Sequence, residues 1–466
     1  MGASSGPGQS DPAAIGNAIG QPIGQPIGIV GGGQLAWMLA ESARRHDVPL
    51  HVQTPGAQDP AVAIATSVVL AEVRDVAGTA ELARRCQAIS FENEWVDLDG
   101  LAPLEAGGVR FVPRLDALRP LVSKRSQREL LQRFNLPSPR WFPLEQLALQ
   151  AQEPSDVRAD GAADPGAAGA AGGAHRSGQD GSGFDPAGSA AGSTVDAAGV
   201  APPRLPDGFG YPVMAKAASG GYDGRGTVLL RDTAELEALL ERVTPAEWIV
   251  EEYVTFEQEL AVVAARDSQG EVVVFPLVQT QQHGQVCDWV LAPLEASQAL
   301  EQAVRNIAAS LLTSLQYVGV LAIEFFYGPR GLLINELAPR THNSGHYTIE
   351  ACTVSQFDQQ LRVVGGESAL EPDLVVPGAL MVNLLGFENR EVADPGADYA
   401  SQREALAALP EAHLHWYGKA GSSIGRKLGH VTLLLRQADP EARRQEAMER
   451  LAQVRQIWPL PPDPEP

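Results

Sequence analysis

Short apolar runs alternate with amphipathic segments over the first quarter of the chain. The spacing of apolar residues after the first run predicts a helix over residues 34–46. Strands that alternate with crossover helices form parallel sheets with helices packed on their faces. The pattern therefore predicts a Rossmann-like α/β domain over residues 27–118, with strands at 27–30, 50–53, 67–70 and 88–91.

Two further blocks follow with a different pattern. Residues 119–385 combine strand-like segments with an amphipathic helix at 296–315, which predicts an α+β domain. Residues 386–466 predict a small C-terminal domain that caps the middle one and ends in a Pro-rich segment. The strands predicted in these two blocks are 262–265, 272–275, 332–337, 413–416 and 430–435, and a helix is predicted at 440–453.

Two segments lack any periodic apolar pattern. Residues 1–26 are mostly Gly, Ala, Ser, Pro and Gln, and residues 161–200 contain 12 Ala and 11 Gly. Such segments bury too little apolar surface to offset the conformational entropy that is lost on ordering. We therefore predict a disordered tail at 1–26 and a disordered insertion at 151–206, and we expect no function in the insertion.

The charge balance excludes several classes of partner. The 466 residues include 35 Lys and Arg against 57 Asp and Glu, a formal net charge of −22. Such a surface repels nucleic acid and anionic membranes. No apolar stretch approaches the ~20 residues of a membrane span, and no signal-peptide pattern is visible. Three scattered cysteines without metal or redox spacing indicate a reducing compartment, so we predict a cytoplasmic protein.

Lysine is almost absent from the chain. Only four of the 35 cations are lysines, namely Lys124, Lys216, Lys419 and Lys427. A chain that uses Arg for its surface cations keeps Lys by chance or where a compact, flexible ammonium is needed. The four lysines are therefore examined as candidate functional residues.

A glycine-rich turn joins the first predicted strand to the first helix. The segment Gly31-x-Gly33 lets the turn tighten, and the exposed amides of a helix N-terminus attract phosphate. The strand at 50–53 ends without the carboxylate that binds a ribose in dinucleotide sites, which disfavours NAD. Two interpretations stay open: the amides bind the monophosphate of a substrate, or the turn is purely structural.

A second glycine-rich segment, residues 220–226, joins two predicted strands. Lys216 precedes the loop, whereas a P-loop places its Lys at the start of a helix, so this is not a P-loop. The amides of such a loop can cover a triphosphate while Lys216 neutralises it. A plain hairpin tip is the structural alternative. The strand edge at 251–254 suits an adenine, and Glu259 suits ribose hydroxyls, although solvated acids are the default for both.

Two carboxylates stand in a predicted hairpin around the turn residues 328–331. If the turn centres on position 330, Glu324 lies opposite Glu336, and like charges that face each other destabilise a sheet unless a cation lies between them. Two carboxylates with Asn335 and triphosphate oxygens are the hard ligands that Mg²⁺ prefers. A coincidental pair of exposed acids is the alternative.

Polar groups are dense directly after this hairpin. Residues 338–347 bring a guanidinium, two imidazoles, an amide and a hydroxyl close together in sequence. Such groups suit a small oxyanion that is being phosphorylated. Histidines with satisfied structural roles are the alternative.

Taken together, the motifs resemble those of ATP-grasp ligases. Within that superfamily, residues 31–35, 220–226, 335–346 and the two-part motif 415–419 and 425–430 resemble the N5-carboxyaminoimidazole ribonucleotide synthetases of purine biosynthesis. The resemblance runs from residue 27 to about residue 435 outside the insertion. It implies an ATP-grasp fold preceded by a Rossmann-like (pre-ATP-grasp) domain and followed by a small C-terminal domain.

The resemblance also implies a reaction. ATP would phosphorylate bicarbonate, and the carboxyphosphate, or CO₂ released from it, would carboxylate the exocyclic amine of 5-aminoimidazole ribonucleotide. A mobile glycine loop that excludes water suits so short-lived an intermediate. The resemblance further implies a homodimer that passes its product to a separate mutase.

Each candidate residue receives a role from this resemblance. ATP would be held by Lys124, Lys216, Gly221, Tyr222, Asp223, Gly224, Arg225, Gly226, Thr227, Glu251, Glu252, Tyr253, Val254, Glu259, Gln282, Asn335 and Glu336. Glu324 and Glu336 would bind Mg²⁺. Catalysis on bicarbonate would involve Arg340, His342, Asn343 and Lys427, with Asp223 steering the amine proton. The ribonucleotide would contact Gln34, Leu35, Tyr222, Lys419, Arg426 and an acid of the 91–94 segment, Glu92 above all.

Other functions remain as alternatives. Many carboxylase-type relatives have Asn two residues after the second metal-binding Glu, and Ala338 stands there instead, which argues against a biotin carboxylase. A formate-dependent purine transformylase is an alternative within the superfamily. A nucleotide-binding scaffold without catalysis and an NAD oxidoreductase are alternatives from other classes.

Overall fold

The amino-terminal strands form a four-stranded, wholly parallel sheet of order β3-β2-β1-β4. The computed structural model describes residues 24–150, 203–221, 226–390, 398–419 and 421–462. The predicted Rossmann-like domain is confirmed, since alternating strands and helices can cover both faces of a parallel sheet. Its elements are β1 (Ile27–Val30), α1 (Gln34–Arg45), β2 (Leu50–Thr54), β3 (Ser67–Leu70), α2 (Val76–Ala83), β4 (Ala88–Phe91), α3 (Leu98–Ala106) and α4 (Leu115–Leu118).

A small antiparallel sheet follows and carries the Lys216 strand. Its order is β5-β8-β6-β7, so that strand lies between two neighbours. A core of apolar side chains, among them Phe142, Val213 and Val250, packs this sheet against its helices. The elements of this part are α5 (Lys124–Arg133), β5 (Trp141–Pro143), α6 (Glu145–Gln150), β6 (Val213–Ala217), β7 (Thr227–Leu230), α7 (Thr233–Leu240) and β8 (Trp248–Glu252).

A nine-stranded sheet forms the largest layer of the molecule. Its order is β14-β13-β9-β11-β12-β15-β17-β16, and β10 pairs with β9. The strands are β9 (Gln258–Arg266), β10 (Val272–Val274), β11 (Val278–His283), β12 (Val286–Ala292), β13 (Gly319–Gly328), β14 (Gly331–Ala338), β15 (Gly378–Leu385), β16 (Ala412–Trp416) and β17 (Lys427–Leu435). The helices are α8 (Gln298–Ser314), α9 (Thr348–Ala351), α10 (Gln356–Gly365), α11 (Ala400–Ala407) and α12 (Pro440–Ile457).

The C-terminal block completes this sheet, so it is more than a cap. β17 pairs with β15 from Gly378 to Leu385, across the predicted boundary at residue 385. Val454 of α12 and Trp458, the residue directly after this helix, share a core with Leu380 of β15. The middle and last blocks therefore share one sheet and one apolar core. The sequence pattern missed this because strand pairing joins segments that are distant along the chain.

The predicted insertion ends slightly earlier than residue 206. Residues 1–23 and 151–202 lie outside the described part of the chain, but residues 203–206 are described. Leu205 packs on the core of the small sheet and is partly buried there. The prediction of disorder is therefore wrong for residues 203–206, and the rest of the predicted insertion lies outside the described residues. Separately, no helix in the described ranges is long and apolar enough to cross a membrane.

Replacing residues 151–202 by a flexible linker of about eight Gly and Ser residues should leave catalysis unchanged. Loop closure costs only about 0.6 kcal/mol more for each doubling of loop length, so the shorter loop should also raise stability slightly. Turnover and thermal unfolding of the two proteins test this. A variant that folds but loses its activity would show that the segment has a function. A second deletion extended to residue 206 should be less stable, because it also removes Leu205.

Candidate active site

The two acids of the hairpin face each other across β13 and β14. The hairpin has a two-residue turn, and from that turn an unbroken register would place Glu324 opposite Asn335. Instead the register shifts by one residue, and Glu324 pairs with Glu336. The predicted pairing is confirmed, but a turn centred on residue 330 is not its cause. A β-bulge at Asn335 produces it, since a bulge sets two residues of one strand against one of the other.

A buried arginine of α5 holds this bulge in place. Arg128 donates to the carbonyl oxygens of Asn335 at 2.6 Å and Ile334 at 3.3 Å. Its Nε lies 2.6 Å from Glu251, whose second oxygen lies 2.7 Å from the Nζ of Lys216. Burial opposes the charge of Glu251, but the two cations lower its pKa to about 2. The side chain of Glu251 thus pairs with cations of the protein itself. Only the backbone of Glu251 remains for the predicted contact with ATP.

Two lysines approach the hairpin from neighbouring elements. Lys124, the first residue of α5, places its Nζ 2.8 Å from Glu336. Lys216 donates to the side-chain oxygen of Asn335 at 3.2 Å. Burial alone would lower the pKa of Lys124, but the carboxylate of Glu336 raises it. Burial lowers the pKa of Lys216 despite the opposing effect of Glu251. The two lysines predicted to bind ATP therefore meet at the predicted metal ligands.

The donor chemistry of the hairpin fits Mg²⁺. Glu324 contacts Asn335 Nδ2 at 3.4 Å and His342 Nε2 at 3.4 Å. Burial, followed by the charges of Glu336 and Glu259, raises the pKa of Glu324. A divalent cation would relieve this repulsion, and oxygen donors are its preferred ligands. Across the described ranges no group of three or more His, Cys, Asp or Glu side chains is arranged to hold a metal. The pair therefore suits an ion that takes its other ligands from phosphates and water.

The strand edge after β8 has a mixed environment. The carboxylate of Glu252 accepts hydrogen bonds from Arg140 at 2.8 Å and Arg330 at 2.9 Å. Tyr253 is 48% exposed, whereas Val254 is buried. The side chain of Glu252 is thus engaged on the protein surface. As with Glu251, only backbone groups of this segment remain for the predicted contact with adenine.

The remaining predicted ATP contacts lie on the two sheets. Glu259 of β9 accepts a hydrogen bond from Gln282 of β11, although burial raises the pKa of Glu259. Lys216 pairs with Thr227 across β6 and β7, and Ala217 N donates to Gly226 O at 2.7 Å. Gly221 lies at the other end of the loop. Four loop residues with predicted roles lie outside the described part of the chain: Tyr222, Asp223, Gly224 and Arg225.

The polar loop, defined as residues 340–346, lies next to the hairpin. Arg340 Nε contacts Glu94 at 3.2 Å, so an acid of the 91–94 segment does reach this loop. His342 contacts Glu324, as described above. The Asn343 side chain is buried and forms a reciprocal amide pair with Asn383, at 2.9 and 2.7 Å. The amide of Asn343 is therefore used within the protein, while Arg340 and His342 face charged groups.

The glycine-rich turn binds a carboxylate of the protein. Glu92 accepts hydrogen bonds from the amides of Gly33 at 2.7 Å, Leu35 at 3.1 Å and Ala36 at 3.3 Å. A Cβ at Gly33 would lie 2.5 Å from Glu92, and so would one at Gly31, which has φ +122°. Glu92 occupies these donors in the structure, so the binding of a monophosphate by the same amides stays a prediction. The glycines are needed for the close approach of that carboxylate, and a structural role for the turn is favoured.

A lysine of the C-terminal block reaches the same helix. Lys419 Nζ donates to the side-chain oxygen of Gln34 at 2.8 Å and to the carbonyl oxygen of Lys427 at 2.8 Å. Arg426 is exposed nearby and donates to the carbonyl of Gly421 at 3.2 Å. The structure therefore brings Lys419 and Gln34 together, as the predicted substrate site requires, across 385 residues of sequence.

Comparison with known families matches this geometry over most of the chain. Residues 25–120 match the ribonucleotide synthetase preATP-grasp domain and residues 202–357 the ATP-grasp domain. Residues 379–445 match the phosphoribosylaminoimidazole carboxylase C-terminal domain.

Named relatives match along their whole length. The N5-carboxyaminoimidazole ribonucleotide synthase of Synechococcus elongatus is 45% identical over 93% of this chain and 95% of its own. The N5-carboxyaminoimidazole ribonucleotide synthase of Synechocystis is 41% identical over 92% of this chain and 97% of its own. The chain belongs to this synthase family. A solved structure of the Aspergillus clavatus synthase complexed with ATP has a TM-score of 0.71 at 25% identity, covering 94% of this chain and 100% of that one.

Membership in the synthase family confirms several predictions from the sequence. The ATP-grasp fold with its preceding Rossmann-like domain is confirmed, as is an ATP-dependent ligase of purine biosynthesis. The alternatives of an NAD oxidoreductase, a scaffold without catalysis and a transformylase are not supported. ATP as a ligand follows from the ATP-grasp domain.

The synthase also contains a column of histidine rings that the sequence did not predict. His346 and His430 are fully buried with ring centroids 4.9 Å apart, and His415 stacks on His430 at 4.5 Å. His415 Nε2 contacts Glu350 at 2.6 Å, and Tyr417 hydrogen-bonds His430 at 2.8 Å. Burial, followed by neighbouring basic side chains, lowers the pKa of both His346 and His430 well below the usual value. These two histidines therefore stay neutral next to the polar loop.

Two neutral buried histidines make the fold sensitive to acid. In the unfolded chain each takes up a proton near pH 6.5, whereas in the folded chain it does not, so stability falls as the pH drops below 6.5. The loss is at most about 1.4 kcal/mol per histidine and pH unit. His430→Asn should reduce this slope of the unfolding free energy between pH 6.5 and 5. Denaturant titrations at several pH values measure it, with the exposed His413→Asn as control. An unchanged slope in His430→Asn would contradict the argument.

Proposed function

We propose that the synthase uses ATP to activate bicarbonate and transfers the carboxyl group to the exocyclic amine of 5-aminoimidazole ribonucleotide. The observation that most supports this is the position of Lys427. Its charge acts on Glu324 of the hairpin, and its carbonyl oxygen accepts a hydrogen bond from Lys419. The hairpin suits a triphosphate, and Lys419 with Gln34 suits the phosphate of a ribonucleotide. Activation and transfer thus have adjacent sites.

The first step is phosphoryl transfer at the hairpin. A bicarbonate oxygen attacks the γ-phosphorus of ATP, the bond to the bridging oxygen breaks, and ADP leaves. Lys124 and Lys216 stand where they neutralise phosphate oxygens. Glu324 and Glu336 would hold Mg²⁺, which would neutralise charge on the phosphates. Arg340 and His342 of the polar loop orient bicarbonate. Asn343 contributes to this loop through its pairing with Asn383.

The second step is transfer of the carboxyl group. The amine nitrogen bonds to the carbon of carboxyphosphate, or of CO₂ released from it, and phosphate leaves with the electrons of the broken C–O bond. The nitrogen loses one proton, and Asp223 is the proposed residue that steers it. Lys427 is 8% exposed, so its charge acts in a site from which water is largely excluded. This exclusion protects the short-lived carboxyphosphate.

The ribonucleotide half-site, defined as Gln34, Lys419 and Arg426, receives the phosphate of the second substrate. Lys419 Nζ lies 5.3 Å from the ring centre of Tyr417, which fixes the ammonium from one side. Glu92 closes the adjoining helix end, so the phosphate is bound by cationic side chains rather than by helix amides. Cytoplasmic location, a homodimer and transfer of product to a separate mutase remain predictions.

The substrate-dependent release of phosphate tests the function. The protein should release phosphate from ATP only with bicarbonate, and faster with 5-aminoimidazole ribonucleotide, while formate with glycinamide ribonucleotide should have no effect. Glu336→Ala removes a metal ligand and leaves Lys124 without its partner, so turnover should fall by about 100-fold or more. The exposed Glu237→Ala serves as control. If Glu336→Ala kept its bicarbonate-dependent turnover, the metal assignment would be wrong.

Lys419→Met keeps the aliphatic stem and removes the charge from the ribonucleotide half-site. A charge-assisted hydrogen bond contributes about 1.5–3 kcal/mol, so KM for the ribonucleotide should rise about 10-fold to 100-fold. KM for ATP should not change, since ATP binds at the hairpin. Arg436→Ala, an exposed cation of the same block, is the matched control. An equal rise of KM for both substrates would contradict the assignment.

A further inference from the structure

Helix α10 contacts both the polar loop and helix α1, which carries Gln34 of the ribonucleotide half-site. The helix is buried along its length. Residues 356–364 are all at most 8% exposed, although five of them are polar or charged. Lys, Arg, Asp and Glu are rarely buried unless they are paired, and buried polar groups need hydrogen-bond partners. The partners of these side chains belong to other elements of the fold. The helix therefore connects parts of the protein that are distant in sequence.

The first residue of α10 holds the polar loop. Gln356 Oε1 accepts from the backbone amide of His342 at 2.8 Å, and its Nε2 donates to the His342 carbonyl at 2.7 Å. A Cβ at Gly345 would lie 2.6 Å from Gln356 Oε1, so the loop depends on glycine there. The side-chain amide of Gln356 thus forms two hydrogen bonds with the backbone of His342, as a peptide group of a neighbouring strand would.

Two residues further on, Asp358 holds the opposite element. Its Oδ1 accepts a hydrogen bond from Ser42 Oγ and lies 3.1 Å from both Arg45 and His46. Its Oδ2 accepts from the Ser355 hydroxyl at 2.7 Å and so also caps α10. The cations and hydroxyls around it keep the pKa of Asp358 well below its usual range against the effect of burial. Asp358 therefore binds the C-terminal end of α1 as an anion.

The other end of α1 belongs to the ribonucleotide half-site. Gln34 is the first residue of this helix and accepts from Lys419. Further along α10, Gln360 donates to Ser90 of β4 at 2.8 Å and accepts from Val320 N of β13 at 2.7 Å. Helix α10 is thus hydrogen-bonded both to the hairpin sheet and the polar loop and to the domain that carries Gln34.

We propose that Asp358 is a positioning residue that holds the ribonucleotide half-site against the polar loop and thereby couples ATP turnover to carboxylation. The inference rests on the proposed function. A displacement of about 1 Å between reacting groups can cost about 100-fold in rate. If α1 shifts, activated bicarbonate still forms at the hairpin, but water hydrolyses it before the amine attacks. Phosphate is then released without carboxylated product.

Two variants test this. Asp358→Asn removes the charge of the buried acid, whereas Ser42→Ala removes one hydrogen-bond donor of α1 and leaves Asp358 in place. Phosphate and carboxylated ribonucleotide are measured in the same reaction at saturating substrates. Bicarbonate-dependent phosphate release should stay within about 2-fold of wild type, while the product formed per phosphate falls several-fold. Asp358→Glu, which keeps the charge, should restore part of the ratio.

The controls separate the possible failures. Ser297→Ala removes the N-cap hydrogen bond of α8, and it should lower thermal stability without changing the ratio. Wild-type protein that releases no bicarbonate-dependent phosphate would overturn the proposed function itself. The role of Asp358 alone would be overturned if wild-type protein forms product in proportion to phosphate and the folded variants keep the same ratio. The same holds if the variants lose phosphate release and product formation in proportion.

Discussion

The structure depends on keeping carboxylates and cations in balance beneath the hairpin. Glu251, Glu324 and Glu336 lie close to Arg128, Lys124 and Lys216, and all six groups are wholly or partly buried. Removing one partner of a buried pair leaves an uncompensated charge, which typically costs about 3–5 kcal/mol. In the function that we propose, ATP and a divalent cation would enter this set with opposite charges. The cation would then offset part of the charge that the phosphates bring into the set.

The same constraint explains why the hairpin carries a bulge. Without it, Glu324 would face Asn335, and Glu336 would lie one position further along the strand. The bulge places both carboxylates across from each other and turns the Asn335 side chain toward Lys216. Because β14 is the edge strand of its sheet, Arg128 supplies donors to two of its carbonyl groups, those of Ile334 and Asn335. A structural cation thus supports the geometry of the acidic pair.

Local pattern predicted the strands well because the period of apolar residues depends on burial within each segment. β1, β3 and β4 begin and end at the predicted residues. The roles of individual side chains were harder to predict from the sequence. Gly31-x-Gly33 is compatible with a phosphate or with a protein carboxylate, and only the fold brings Glu92 to it. Asp358 and Ser42 are separated by 316 residues, so no spacing rule relates them. Helix α10 shows an apolar stripe of Phe357, Leu361 and Val364, but this stripe does not reveal that the polar residues of the helix are buried as well.

The scarcity of lysine gains a physical meaning from these contacts. Arg128 makes three hydrogen bonds in a fixed fork, which suits a permanent support. Lys124 contacts Glu336, and Lys216 contacts Glu251 and Asn335, each through a terminal ammonium on a flexible stem. Such a group can exchange a protein oxygen for a phosphate oxygen by rotation of its own side chain. A guanidinium would lose several aligned bonds in the same exchange. In a chain with a net charge of −22, cations that can change partner are therefore needed where anionic substrates must replace the protein's own oxygens.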